Sequence, residues 1–236
     1  MKNGIWNING NKLLLTTFEK NIKYNLNSSF DSNFDSIILI DSKDLDANFL
    51  NFKILEKDGS ISQMCGNLLI LFAYHSYQTK FKIPLFKNKR FSGAQIIVTP
   101  FPKYFTDNNF KFFLYHALGE PHFVTFIKSK NSIPSLKTCL SLSKKYNSNL
   151  TFIYFYHSKL YFHNSKLYYQ TFERGVNQFT LSCGTGCASA IYFLKSKFLM
   201  NPHKIYCPGG VYYTSSFHNK VNICVKNSKI KFIHTI

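Results

Sequence analysis

Short apolar runs of period-two character dominate the chain. KLLLTTF (12–18), DSIILID (35–41), NFKILEK (51–57), AQIIVTP (94–100), KFFLYHA (111–117), HFVTFIK (122–128), LTFIYFYH (150–157), KLYFHN (159–164) and KLYYQTFE (166–173) are rich in β-branched and aromatic residues and predict strands. HKIYC (203–207), NKVNICVK (219–226) and KIKFIHTI (229–236) continue the series. Turn signals such as NSK (164–166) and PGG (208–210) separate the runs. Two segments, GNLLILFAYHSYQT (66–79) and GTGCASAIYFLKSKFL (184–199), are apolar on most faces near their starts and predict buried helices. SLKTCLSLSKKY (135–146) predicts an amphipathic surface helix, and residues 80–92 a connection.

The two buried helices are introduced alike. ILEKDGSISQMCGNLLILFAY and YYQTFERGVNQFTLSCGTGCASAIYFL both run strand, acidic turn, Cys-Gly, buried helix. Cys65 lies six positions after Gly59, and Cys183 eight after Gly175. Such a repeat predicts two similar domains facing each other.

Composition narrows the class. With 236 residues the chain builds one large domain or two small ones around a real core. No apolar run is long enough to span a membrane, and the first ten residues lack the apolar core of a signal peptide, so a cytoplasmic location is expected. Six cysteines in such a chain read as free thiols. The net charge of +18 invites a nucleic-acid reading. But the positive charge is scattered lysine, accompanied by many Asn, Ile, Phe and Tyr, as a coding bias would produce. No zinc-finger, helix-turn-helix or RNP-type pattern is present, so no specific nucleic-acid partner is expected. Against this background one dipeptide stands out. From residue 121 onward the acidic residue is Glu173 and the arginine is Arg174. A guanidinium fork pairs with a carboxylate bidentately, which lysine cannot do.

A thiol at a helix start meets unpaired N–H groups and the positive end of the dipole. It is expected to have a lowered pKa, and the same N–H groups can hold a carboxylate. Two such starts face to face would hold a small carboxylate ligand with one thiol on each side of its α-carbon, the geometry of two-base racemisation. A metal is not expected: Cys183 and Cys187 have C-x3-C spacing, but no Cys/His pair of zinc-like spacing lies nearby. A phosphate loop would need a lysine in the Gly-rich turn, and none is there. Cys139, Cys187, Cys207 and Cys224 read as small buried residues.

KDGSISQMCGN and ERGVNQFTLSCGTG resemble the two active-site motifs of the diaminopimelate epimerases. Further likenesses follow in order: NGNKLLL (9–15), NFDSIILI (33–40), LGEPHFV (118–124), NLTFI (149–153) and CPGG (207–210). Proline-racemase relatives share the paired cysteines but typically carry histidine where Asn67 stands. The resemblance implies an α+β fold of two pseudo-symmetric domains, each a curled mixed sheet around a central helix. These would be residues 1–113, completed by the strand at 227–236, and residues 114–226. It implies cofactor-independent interconversion of LL- and meso-diaminopimelate, in lysine and peptidoglycan precursor synthesis. Cys65 and Cys183 would be the acid–base pair, supported by His122 and Glu173. Gly66, Asn67, Gly184 and Thr185 would cradle the reacting carboxylate. Asn11, Asn149, Glu173 and Arg174 would hold the distal end of the substrate, with Ser36, Glu56 and Glu120 beside them. A small-molecule substrate, no membrane and, on family precedent alone, a homodimer complete the expectation.

The chain departs from the family at named positions. The family has Asn at Glu56 and Glu120, Asp at Lys12, Gln at Ser36, and Gly-x-Arg where Leu68, Leu69 and Ile70 stand. Two carboxylates near a bound carboxylate repel it unless they are protonated or paired. These departures leave two other readings open: a racemase for another amino acid, and a basic binding protein on an eroded epimerase scaffold.

Overall fold

The computed structural model describes residues 3–18, 34–41, 49–79, 83–107, 110–156 and 166–234; the strand expected at 159–164 lies outside them. β1 (Gly4–Ile8) turns antiparallel into β2 (Asn11–Phe18), and β3 (Ser36–Asp41) runs parallel to β2. After β4 (Phe49–Leu50), β5 (Phe52–Glu56) pairs antiparallel with β3 and turns at Gly59 into β6 (Ile61–Ser62). Helix α1 (Gly66–Tyr74) follows, then β7 (Gln78–Thr79), β8 (Leu85–Lys87) and the long β9 (Phe91–Asp107).

The next stretch repeats these pairings. β10 (Phe110–Ala117) and β11 (Glu120–Phe126) are antiparallel, and β12 (Asn149–Tyr156), reached through α2 (Leu136–Tyr146), runs parallel to β11. β13 (Lys166–Glu173) is antiparallel to β12 and turns at Gly175 into β14 (Gln178–Phe179), after which α3 (Gly184–Phe198) begins. β15 (Lys204–Cys207), β16 (Gly210–Phe217), β17 (Lys220–Lys226) and β18 (Ile230–His234) complete the chain.

The smaller sheet has the order β18-β1-β2-β3-β5-β6, with the C-terminal strand at one edge beside β1. The larger runs β10-β11-β12-β13-β15-β16-β17-β9-β8, with β9 also paired to β10. Hydrogen bonding places β8 and β9 in the larger sheet. β9 is what joins the two parts: it continues past Pro100 and Pro102 because β10 pairs along it, and α1 packs against its inner face.

Strand periodicity explains the layers. Leu13, Leu15, Ile38, Ile40 and Ile54 point into a core shared with α1, α3 and the larger sheet, while Leu14, Ile37, Leu39 and Leu55 build a second small core on the opposite face. In α1 every residue from Gly66 to Ala73 is buried, as expected of a helix that is apolar all round. It stops at Tyr74, short of the expected residue 79. Ser76 takes a φ of 61° and the Tyr77 N–H closes on the Phe72 carbonyl at 2.9 Å, a left-handed cap that ends the helix. α2 is capped by the Ser135 hydroxyl, which accepts from the Thr138 N–H at 3.2 Å, and its apolar side covers a third cluster with β10, β11 and β12. No helix among the described residues is long and apolar enough to cross a membrane.

Candidate active site

The two buried helices start against each other. Cys65 caps α1 and Cys183 caps α3, both extended, at φ −118°, ψ 115° and φ −136°, ψ 113°. A methyl group on Gly66 would lie 2.7 Å from the Gly184 carbonyl carbon, and one on Gly184 would lie 2.8 Å from that of Gly66. Glycine is needed here because backbone touches backbone.

A pocket lies at this junction. It is lined by Cys65, Gly66 and Asn67 from one helix start and by Cys183, Gly184 and Thr185 from the other. Asn11, Ser36, Glu56, Glu120, Asn149, Glu173 and Arg174 line the rest. The expected site residues are thus brought together, with His122 one layer behind. Its Nε2 lies 3.0 Å from Thr185 Oγ1 and its Nδ1 lies 3.0 Å from Thr151 Oγ1. Burial pulls the imidazole down to about 3, so it is neutral, with one nitrogen donating and the other accepting. Thr185 Oγ1 is in turn 3.4 Å from Cys183 Sγ, so His122 reaches the thiol through Thr185.

Three carboxylates meet one guanidinium in the remainder of the pocket. Arg174 Nη2 donates to Glu120 Oε1 at 3.2 Å, and Nη1 donates to Asn147 Oδ1 at 2.9 Å. Glu120 also accepts from Asn149 Nδ2 at 3.0 Å and from the Gln63 N–H at 3.0 Å. Arg174 is therefore ion-paired within the protein, and its partner is Glu120, not its neighbour Glu173. Glu173 accepts from the Thr180 hydroxyl. Glu56 accepts from Ser36 Oγ at 2.9 Å and from the Ser62 hydroxyl. Burial, opposed by those hydroxyls and reinforced by Glu120 and Asp58, pushes Glu56 up to about 7. Burial and the nearby Glu56 and Asp35 push Glu173 up to about 8.

The thiols correct an expectation. Both are raised above the ordinary thiol range, not lowered. Burial is the main cause and the Glu173 carboxylate adds to it. The N–H groups of Asn67 and Leu68 at Cys65, and of Gly186 at Cys183, pull the other way and lose. Loss of hydration outweighs the helix start.

Several residues of the site were not foreseen. Ser62, Met64 and Ser182 line the pocket. Tyr212 donates to Asn67 Oδ1, while Asn67 Nδ2 donates to Ser182 Oγ at 3.3 Å. Tyr169 OH donates to the Cys183 carbonyl at 2.9 Å. The serines fall inside the two cysteine motifs and could have been taken from them; the tyrosines come from β13 and β16 and carry no such signal. Among the described residues no three His, Cys, Asp or Glu side chains are grouped so as to hold a metal ion.

No family model matches the chain. It is 30% identical over 196 residues to the diaminopimelate epimerase of Helicobacter pylori strain P12, covering 71% of this chain and 68% of that protein. The chain belongs to the diaminopimelate epimerase family. The diaminopimelate epimerase of Aquifex aeolicus strain VF5 is 24% identical over 204 residues, covering 78% of the chain and 72% of the relative. Among solved structures, a phenazine biosynthesis PhzF-family protein of Enterococcus faecalis has a TM-score of 0.62 at 12% identity, covering 98% of this chain and 96% of that one. A predicted epimerase of Pseudomonas aeruginosa has a TM-score of 0.63 at 7% identity with the same coverage. They share the diaminopimelate epimerase-like fold of mixed sheets with few helices.

Proposed function

We propose that this member of the family is a cofactor-independent epimerase that interconverts LL- and meso-diaminopimelate with Cys65 and Cys183 as its acid–base pair. The observation that carries the reading is the abutment of Gly66 and Gly184, which puts both capping thiols on one pocket. The reacting carboxylate sits on the free N–H groups of the two helix starts. One sulfur, as thiolate, takes the α-proton: the Cα–H bond breaks, an S–H bond forms, and the electron pair spreads into the carboxylate. The opposite thiol then gives its proton to the other face, and the two sulfurs exchange roles. The fixed N–H groups stabilise the developing charge in a site shielded from water. His122 positions Thr185 beside Cys183, and Glu173 accepts a substrate ammonium.

The repeated strand pairing supports two pseudo-equivalent halves. Leu13 lies opposite Ser36 as His122 lies opposite Asn149, and Ser36 is paired with Glu56 as Leu150 is with Phe172, one step from Asn149 and Glu173. We read the halves as residues 1–113 with 227–236 and residues 114–226, with β8 and β9 hydrogen-bonded across to the second. Asn11 then corresponds to Glu120, Ser36 to Asn149, Glu56 to Glu173 and Cys65 to Cys183.

The test is incubation of the reduced protein with LL-diaminopimelate in D2O, following α-deuterium uptake and meso product together. Both are expected, and both are expected to vanish in Cys65→Ala and Cys183→Ala. Full activity in either variant sinks the two-base model. A second reading, a racemase for another amino acid, is favoured by the Glu120–Arg174 ion pair.

A further inference from the structure

We propose that this pocket also racemises α-amino acids whose side chain ends in a lone ammonium, lysine and ornithine among them, with Glu56 and Glu120 as acceptors for that ammonium. The proposal rests on the two-thiol reading above and names the substrate class that its charges select.

The abutting helix starts offer N–H groups for one carboxylate. The pocket adds Glu56, Glu120 and Glu173, and its guanidinium is Arg174. A second carboxylate on the substrate would need Arg174, whose Nη2 is already held by Glu120 at 3.2 Å and whose Nη1 is held by Asn147 at 2.9 Å. Its buried Nε has no partner among the described residues, but a two-point grip on a second carboxylate would take Arg174 from Glu120, which is 4% exposed. An ammonium meets the opposite situation. Among the described residues Glu56 has only the Ser36 and Ser62 hydroxyls as side-chain partners, feels the negative charge of Glu120 and is 5% exposed. A cation between them relieves like-charge repulsion and lets Arg174 stay where it is. The complement of this pocket therefore has one carboxylate and two ammonium groups: the α-ammonium at Glu173 and the distal one at Glu56 and Glu120. Diaminopimelate carries a further carboxylate, which lysine and ornithine lack. The chemistry is unchanged, since one sulfur gains the α-proton and the other gives one up on the opposite face.

The experiment compares α-deuterium uptake in D2O by lysine, ornithine, norleucine and diaminopimelate. The expected result is exchange of lysine or ornithine at least 10-fold faster than norleucine, lost in Cys183→Ala. Glu120→Gln, which releases Arg174, is expected to shift the preference at least 10-fold toward diaminopimelate, mainly through KM. Glu56→Gln is expected to slow lysine and ornithine at least 10-fold more than norleucine, and it serves if Glu120→Gln does not fold. Exchange of diaminopimelate without lysine or ornithine would overturn the proposal and leave the two-thiol reading standing. Equal exchange of lysine and norleucine would overturn the charge argument. No exchange with any of the four would overturn both readings.

Discussion

Gly66 and Gly184 touch through their backbones, each closing the space into which a side chain on the other would grow. This contact fixes the separation of the two thiols, because Cys65 and Cys183 are the residues immediately before. Alanine at either glycine has no flexible neighbour to displace, only backbone 2.7–2.8 Å away. Overpacking of this kind costs roughly 1–3 kcal/mol, and a shift of about 1 Å between reacting groups costs ~100-fold in rate. Gly66→Ala and Gly184→Ala are therefore expected to lose at least two orders of magnitude in turnover. Gly59→Ala is the control. It has no atom within 4 Å of the added methyl but a φ of +81°, so it should lose roughly 1–2 kcal/mol of stability and keep its turnover. Equal turnover in all three variants would dissociate the glycine contact from the thiol geometry.

The raised thiols lead to a spectroscopic prediction. Burial raises all six cysteines, Cys139 to about 12 and Cys207 and Cys224 to about 11 among them. Titration of the ligand-free protein, followed by thiolate absorbance near 240 nm, should show no step between pH 5 and 8. A one-thiolate step in that range would mean that the helix start prevails over burial.

The direction of that shift could not be read from the sequence, whereas the thiols' location could. Cys65 and Cys183 each sit in a contiguous motif with a glycine turn and an apolar helix, so position and local structure are encoded within a few residues. Strands such as Ser36–Asp41 announce themselves by composition in the same way. The dielectric around a thiol depends on what the remainder of the chain places over it. Arg174 shows the same limit. Its rarity marked it, but its partner Glu120 is 54 positions away in sequence. GVYYTSSF does not read as β16 because its buried side carries Thr214 beside Tyr212 while Phe217 is exposed, which breaks the apolar-inward alternation, and β9 runs on past Pro100 because a proline can stand where its N–H is not needed.

Tyr212 offers a test of a residue that carries no motif. Its hydroxyl fixes the Asn67 amide with the oxygen toward Tyr212 and the nitrogen toward Ser182. Both side chains are fully buried. Tyr212→Phe removes the donor and strands Asn67 Oδ1, which costs about 1–3 kcal/mol. The freed amide can then turn at the helix start. The expected outcome is a lower unfolding midpoint in urea together with at least a 10-fold loss of turnover. Loss of stability alone would make Tyr212 a core residue with no part in positioning the site.

The carboxylates set a pH dependence whose sign can be worked out. Glu56 and Glu173, at about 7 and about 8, hold protons that the unfolded chain has already lost above its ordinary carboxylate range. The folded state binds more protons across that window, so stability falls as pH rises through it. His122 and His75, drawn down to about 3 and about 4, act oppositely: between those values and about 6.5 the unfolded chain binds more protons, so stability rises with pH. Below pH 6.5 the two effects oppose each other. Between pH 7 and 8 the histidines are neutral in both states, and the carboxylates, Glu173 above all, set the slope at up to ~1.4 kcal/mol per pH unit for each group. The urea midpoint of the ligand-free protein is expected to fall from pH 6.5 to 8.5, and Glu173→Gln should flatten that fall. A midpoint that rises over this range, or an unchanged slope in Glu173→Gln, would show that Glu173 is ionised in the empty pocket.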